Sequence, residues 1–305
     1  MKKIKFSIVV ALAPNRNLEL KDSLKELDYP KSGYELIVEE GTNPSENRNR
    51  GIKKSKGEII AFIDDDAIIS NDLLKNAEKF LNEYKKIGIV GGSQLTPESD
   101  NFFAKVSGYA LESSFGTYKM SNRYKLGKLN LDADECSITS AICFVRKEIF
   151  KKIKGFNPIL FPGEDPEFFG RAKEAGVKIA YNPNLIVYHK RRADLLGFCR
   201  QIFRYGEVRM VKEKLNKTRI NPVFLMPAGF TLYFIFSPLL LSIHNLFLIP
   251  IIIYFSIALL VSFAISIKKD ILALPFLPII FFLLHSSYGL GMISYFVSKK
   301  FVSKK

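Results

Sequence analysis

The chain has 305 residues, 48% of them hydrophobic, and carries 45 Lys and Arg against 30 Asp and Glu, a formal charge of +15. That apolar content excludes a mainly disordered chain, and the length allows one large domain or two modest ones. Cys136, Cys143 and Cys199 match neither a zinc spacing nor a disulfide framework, so they read as reduced, packed thiols.

In chain order, MKKIKFSIVVALAP sets an apolar run behind a basic start. The run ends at Pro14 without a convincing cleavage site and reads as a core strand rather than a signal peptide. Strand and helix patterns then alternate to about residue 92: strands FSIVVALA (6–13), YELIVEE (34–40), EIIAFID (58–64) and IGIVGG (87–92). Between them lie helical patterns at 17–29, 43–56 and 71–86, the last capped by Ser70 or Asn71. Such alternation predicts βαβ units and a mostly parallel sheet. Residues 93–135 are irregular and aromatic. SITSAICFVRKEIF (137–150) then reads as a strand running into a helix, FPGEDPEFFGRAKEAG (161–176) as a loop opening a helix, and VKIAYNPNLIVYHKRR (177–192) as two short strands around a turn at Asn182-Pro183.

In open sheets of this kind ligands bind beyond the carboxyl ends of the strands. Asp64, Asp65 and Asp66 sit at such an end, as do Glu39 and Glu40. Alternation along a strand sends Asp64 and Asp66 one way and Asp65 the other. Two converging carboxylates suit a hard divalent cation, whose charge cancels their repulsion; Mg²⁺ takes one or two such groups plus substrate phosphates. The competing reading is a solvated acidic turn before a helix.

The segments SIVVALAPNRN, YELIVEEGTNPSENRNRGI, KGEIIAFIDDDAIIS, SAICFVRKEIFKKIKGFNP, GEDPEFFGRAKEAG, VYHKRR and RQIFRYG, in this order, resemble the family 2 glycosyltransferases over roughly residues 5–210. The resemblance implies a GT-A fold, an α/β nucleotide-sugar transferase architecture, and an inverting reaction. It places Ala13, Glu39, Glu40, Arg48, Asn49, Asp64 and Asp65 on the donor, and Asp66, Asp64 and His189 at a divalent metal, Mg²⁺ or Mn²⁺. Asp165, beside Glu164, becomes the general base, ionised and within reach of an acceptor hydroxyl. Gln201 and Arg204 line the acceptor or diphosphate side. The residues alone leave bland alternatives: an acidic first turn at Glu164-Asp165 before Pro166, an exposed helix arginine at Arg48, a structural histidine at His189, and a lipid-facing charge at Arg204. Tyr205 stands where processive members carry Trp, which argues against a polysaccharide synthase.

Beyond this region Pro222–Ile267 and Ile271–Ser298 contain no Asp, Glu, Lys or Arg. About 20 apolar residues span a bilayer as a helix, so three membrane helices are expected near 223–243, 246–267 and 271–297. The first expected domain is 1–215, with a nucleotide-sugar half (1–92) and an acceptor half (93–215); the membrane region is 222–298. Lys190, Arg191, Arg192, Arg200, Arg204, Arg209, Lys212, Lys214, Lys217 and Arg219 precede the first span and mark a cytoplasmic, lipid-facing side, with no need for nucleic acid. Three full crossings put the Lys299, Lys300, Lys304, Lys305 tail outside, against that rule; a last segment, with Gly289, Gly291 and His285, that is partly interfacial or re-entrant is the alternative.

The expected protein is an integral enzyme of the cell membrane with a cytoplasmic catalytic domain, moving sugar from a nucleotide-diphosphate donor to a hydroxyl of a lipid-linked or cell-surface glycan. Transfer to polyprenyl phosphate is the second expectation, although an anionic acceptor needs no base. A non-catalytic scaffold or transporter subunit is the third, although its spans lack the charges a transporter often carries.

Overall fold

The computed structural model describes residues 4–216 and 222–297; Lys217, Arg219 and the terminal lysines counted above lie outside them. The strands are β1 (Phe6–Leu12), β2 (Tyr34–Glu40), β3 (Ile59–Ile63), β4 (Ala67–Ile69), β5 (Ile87–Leu95), β6 (Ile142–Arg146) and β7 (Lys178–His189). The helices are α1 (Leu20–Lys25), α2 (Pro44–Lys54), α3 (Leu73–Glu83), α4 (Phe102–Glu112), α5 (Ser114–Thr117), α6 (Ile149–Ile153), α7 (Glu164–Glu174), α8 (Leu195–Asn216), α9 (Met226–Ile243), α10 (Ile249–Lys268) and α11 (Leu277–Val297). The chain separates into two compact units, Met1–Pro97 with Lys119–Lys190, and Glu98–Tyr118 with Arg191–Lys305. By this division, residues 98–118 and 191–215 of the expected catalytic domain group with the apolar helices.

In the first unit the sheet order is β2-β1-β3-β6-β5-β7-β4. β2, β1 and β3 run parallel, as expected, and so do β5 and β7. β6 is inserted antiparallel to both neighbours, and β4 pairs antiparallel with β7. The sheet is therefore mixed. A fully buried strand is apolar throughout whichever way it runs, so the direction of β6 left no mark on its residues. The expected break at Asn182-Pro183 is a bulge inside one long β7: pairing steps from Gly91↔Tyr181 to Ser93↔Ile186. Proline within a sheet is tolerated at such a bulge.

Alternation on β1 divides the core. Phe6, Ile8 and Val10 face α1 and α3 through Leu20, Leu73, Leu74 and Phe80. Val9, with Ile60 and Phe62 of β3, faces Phe156, Phe168 and Phe169. The helices have local causes. Asn43 caps α2, accepting from the backbone N–H of Ser45 (3.0 Å) and Glu46 (3.3 Å), with Pro44 in the first turn. Gly163 opens α7 at φ +113°, a left-handed conformation that glycine adopts without a Cβ clash. α3 begins at Leu73 behind Asp72, later than expected, and no side chain caps it.

The second unit contains α4, α5 and α8–α11. Three of its segments are long and apolar enough to cross a membrane: Pro222–Ile243, Asn245–Lys268 and Leu277–Val297. The last starts six residues later than expected, because Ile271–Ala273 form a separate short turn capped by Asp270.

Phe62 is fully buried and meets Phe156 edge-on at 5.1 Å and Phe150 at 6.1 Å. Phe62→Ala is expected to cost about 3–5 kcal/mol, read as a lower urea midpoint in far-UV circular dichroism of the full chain in detergent.

Candidate active site

Strand register assembles the site. β1, β2 and β3 end at one edge of the sheet, which places Glu39, Glu40 and Asp64–Asp66 there. β6 runs the other way, so it starts at that edge: Ile142 pairs with Ile63, and the Asp64 N–H donates to the Ala141 carbonyl (3.4 Å). β7 ends there as well, because His189 pairs with Ala67, the residue after Asp66. The expected triple-Asp turn thus continues into β4, a strand too short to be legible in the sequence.

Asp64 and Asp66 converge on one imidazole. His189 Nε2 lies 3.3 Å from Asp64 Oδ2 and 3.1 Å from Asp66 Oδ1. Each carboxylate gives its other oxygen to an arginine. Arg48 Nη2 reaches Asp64 Oδ1 at 3.2 Å, and Arg16 Nη2 donates to Asp66 Oδ2 at 2.8 Å. Arg48 also donates through Nη1 to Glu164 Oε1 at 2.8 Å, and its guanidinium lies 5.4 Å from the centre of the Phe156 ring. Arg16 lies 3.1 Å, through Nε, from Asp65 Oδ2. Asp165 Oδ2 accepts the backbone N–H of Ser140 at 3.0 Å, while Asp165 Oδ1 is buried and takes no hydrogen bond.

These partners set the protonation states. Burial alone lowers the pKa of His189, but the bonds to Asp64 and Asp66 outweigh it and hold it up at about 9. Burial pushes Asp66 up, and His189 and Arg16 pull it well below the usual carboxylate range; His189 and Arg48 do the same for Asp64. Asp65 is raised to about 6, by burial first and the charge of Asp66 second. Glu164 is raised by burial and by neighbouring Asp165, against the pull of Arg48.

Several expected donor residues have other commitments. Glu39 is buried and held by Arg50 (3.1 Å) and Lys54 (2.6 Å) of α2. Glu40 is exposed, and its carbonyl accepts from Arg50 Nη2 at 2.7 Å. Asn49 spends both ends of its amide on the Phe156 backbone, each bond 2.8 Å. Ala13 is exposed and its carbonyl accepts the Arg16 N–H at 3.2 Å. Gln201 and Arg204 lie on α8 in the second unit; Gln201 Nε2 donates to Tyr205 Oη at 3.1 Å, and Arg204 is exposed. Arg16 and Ser140 were not foreseen. For Arg16 the available signal was its position just past β1, at the same sheet edge as the aspartates. Ser140 acts through its backbone and leaves no signal.

Asp64, Asp66 and His189 each offer one ligand atom, all within 4.8 Å of one another. Two carboxylate oxygens and one imidazole fit a divalent ion of the Mn²⁺ type, which accepts nitrogen as well as oxygen. His189 Nδ1 lies 3.1 Å from the Lys190 carbonyl, the second contact that leaves Nε2 free to ligate in the neutral ring.

Residues 5–207 match the glycosyltransferase-like family 2, and the chain belongs to that family. It is a transferase of GT-A fold. It is 26% identical over 303 residues to the dolichyl N-acetyl-α-D-glucosaminyl phosphate 3-β-D-2,3-diacetamido-2,3-dideoxy-β-D-glucuronosyltransferase of Methanococcus voltae, covering 86% of this chain and 88% of that one. Glycosyltransferase AglE of Haloferax volcanii is 23% identical over 221 residues, 72% of this chain and 67% of that one. The solved mannosyltransferase PcManGT of Pyrobaculum calidifontis, in complex with GDP-Man and Mn²⁺, shares the fold at TM-score 0.57 and 14% identity, covering 98% of this chain and 89% of that one.

In chelator-treated protein His189 favours the folded state. Its pKa is raised, so the contribution is complete below about 6.5 and is lost as pH rises through about 9. Thermal stability is expected to fall over that window by on the order of 3 kcal/mol. In His189→Asn that slope disappears, as measured by melting curves from pH 6 to 10.

Proposed function

We propose that the chain is a membrane-anchored, inverting, metal-dependent glycosyltransferase that moves a sugar from a nucleotide-diphosphate donor to a hydroxyl of a lipid-linked or cell-surface glycan. The observation that carries the reading is the continuous bridge from the Asp64–Asp66–His189 cluster through Arg48 to Glu164, next to Asp165 with its unpartnered oxygen. The Methanococcus relative, named for a dolichyl-linked sugar phosphate, supports a lipid-linked acceptor. The basic residues from Lys190 to Arg219 support a cytoplasmic catalytic unit.

A divalent ion held by Asp64, Asp66 and His189 would supply Lewis-acid screening of the charge that develops on the departing diphosphate. The protein's own groups do the rest. Asp165 Oδ1 takes the proton of the acceptor hydroxyl as that oxygen attacks the anomeric carbon from the face opposite the leaving group. Ser140 N–H fixes the other oxygen of Asp165, so one lone pair is directed rather than two shared. Arg16 and Arg48 turn Asp66 and Asp64 so that one oxygen of each faces His189. Displacement in a single step inverts the anomeric centre.

Nucleoside diphosphate release from a panel of sugar nucleotides, with membranes and Mn²⁺, tests the activity. Asp165→Asn is expected to lower kcat by roughly 10²–10⁴ while leaving nucleotide affinity unchanged. Asp66→Ala is expected to abolish metal-dependent donor binding. Equal donor affinity in chelated and Mn²⁺-loaded protein, or full turnover in Asp165→Asn, sinks the reading.

A further inference from the structure

The three apolar helices of the second unit are not alike. Only 11% of the apolar window is buried in each of the first two, against 44% in α11. Part of what covers α11 is α9 and α10, through Thr231 beside Gly289 and through Phe234 and Phe255 against Phe282, and the rest is α4, α5 and α8. Along its first half, Phe102 of α4 meets Phe276 just before the helix (5.3 Å), Phe115 of α5 meets Phe281 (5.0 Å), and His285 Nε2 lies 2.9 Å from the Phe115 carbonyl. Along its second half lies α8. A Cβ on Gly206 would sit 2.1 Å from the Tyr288 carbonyl oxygen, and one on Gly291 would sit 1.9 Å from that of Phe203, so the two backbones touch. Arg209 Nε donates to Tyr288 Oη at 3.2 Å, and Ser294 Oγ donates to Glu207 Oε1 at 3.1 Å.

We propose that α11 does not cross the bilayer: it lies at the membrane boundary under α4 and α8, and the chain leaves and returns on one side through α9 and α10 alone. From Phe276 to Ser294 the helix rises about 27 Å, nearly the hydrocarbon thickness of about 30 Å. Were α11 to cross, the elements touching it at both ends would cross with it. Those elements are one layer, joined by Phe103 against Phe198 (6.1 Å) and by Asn101 Nδ2 on the Ala193 carbonyl (2.9 Å). That layer carries Arg200 and Arg204, both exposed, and the half-buried Lys105, Glu112 and Glu207, and such charges are excluded from lipid-facing depth. The short α5 and its flanking turns would also bring irregular backbone there.

The ends of the α9–α10 excursion are tied to the same layer. Arg209 stacks on Phe224 at 4.2 Å, just before α9, and Lys269, just after α10, pairs with Glu112 at 2.8 Å. The excursion therefore begins and ends on the side of α4 and α8.

The inference rests on the membrane reading proposed above, and the two fail differently. Release of the full chain from membranes by carbonate, without detergent, overturns both. The inference alone is tested in right-side-out and inverted vesicles with a membrane-impermeant maleimide, scoring label above that on the native cysteines. Leu272→Cys and Val297→Cys, both exposed positions, are expected to react from the same face. Reaction of Val297→Cys only from the face opposite Leu272→Cys overturns the proposal. In the unsubstituted chain, green fluorescent protein fused after the last residue is expected to fluoresce and alkaline phosphatase fused there to be inactive. Active phosphatase overturns the proposal.

Discussion

The site depends on one buried cation. Arg48 is shielded from solvent, and its guanidinium lies between Asp64 at 3.2 Å and Glu164 at 2.8 Å. A buried charge is tolerated only when it is paired and hydrogen-bonded. Burial would push its proton off, and the three carboxylates around it (Glu164, Asp64 and Asp165) more than compensate, so it stays charged. The energetic point is asymmetric: such a bridge adds little net stability over an apolar packing, but removing one member leaves the others uncompensated, typically at about 3–5 kcal/mol. Arg48 thus ties a helix, α2, to the end of β3 and to the first turn of α7. An exposed helix arginine, the bland reading of the sequence, would carry none of these constraints.

Charge balance then explains why the acidic cluster holds together. Asp64, Asp65, Asp66, Glu164 and Asp165 face Arg16, Arg48 and a protonated His189. Fully ionised, the five acids exceed the three bases by two charges. Burial and the neighbouring negative charge raise both Asp65 and Glu164. His189 occupies the place between Asp64 and Asp66 as an imidazolium. Metal ligation needs the neutral ring, so metal uptake and loss of that proton are linked. The two arginines hold the outer oxygens, which keeps the inner oxygens directed at His189.

How far this was legible in the sequence differs by level. The strands with long apolar runs, the acidic ends and the order of motifs were readable because burial and charge are written in residue type. β4 was not, because three residues after an acidic turn carry no period. The direction of β6 was not, because strand direction is decided by which edge the connection returns to. Pro183 suggested a turn but marks a bulge, a choice made by the partner strand β5. For Glu39 and Asn49 residue type alone was insufficient. A carboxylate at a strand end is read as a ligand contact until the helix behind it is seen to supply Arg50 and Lys54. The amide of Asn49 is spent on Phe156, over a hundred residues away. Hydropathy likewise equated α11 with its two neighbours. An apolar run records what a segment can bury, and lipid and protein satisfy it equally; contacts such as those of Phe281, His285, Tyr288, Ser294 and Gly291 are not written in hydropathy.

The dipeptide Glu164-Asp165 shows how adjacent carboxylates acquire different chemistry. Both stand in the first turn of α7, where the helix dipole favours negative charge equally, so the helix cannot distinguish them. Their partners do. Glu164 faces the interior and is bonded to Arg48, and a carboxylate that gave up this contact to accept a proton would strand a buried guanidinium. Asp165 is held on one side only, by an amide that cannot move with it, and its second oxygen has no protein group to satisfy it. That oxygen can take a hydrogen bond without breaking an existing one. On the proposed mechanism, the base in this pair is selected by which carboxylate can change its charge without dismantling the Arg48 bridge.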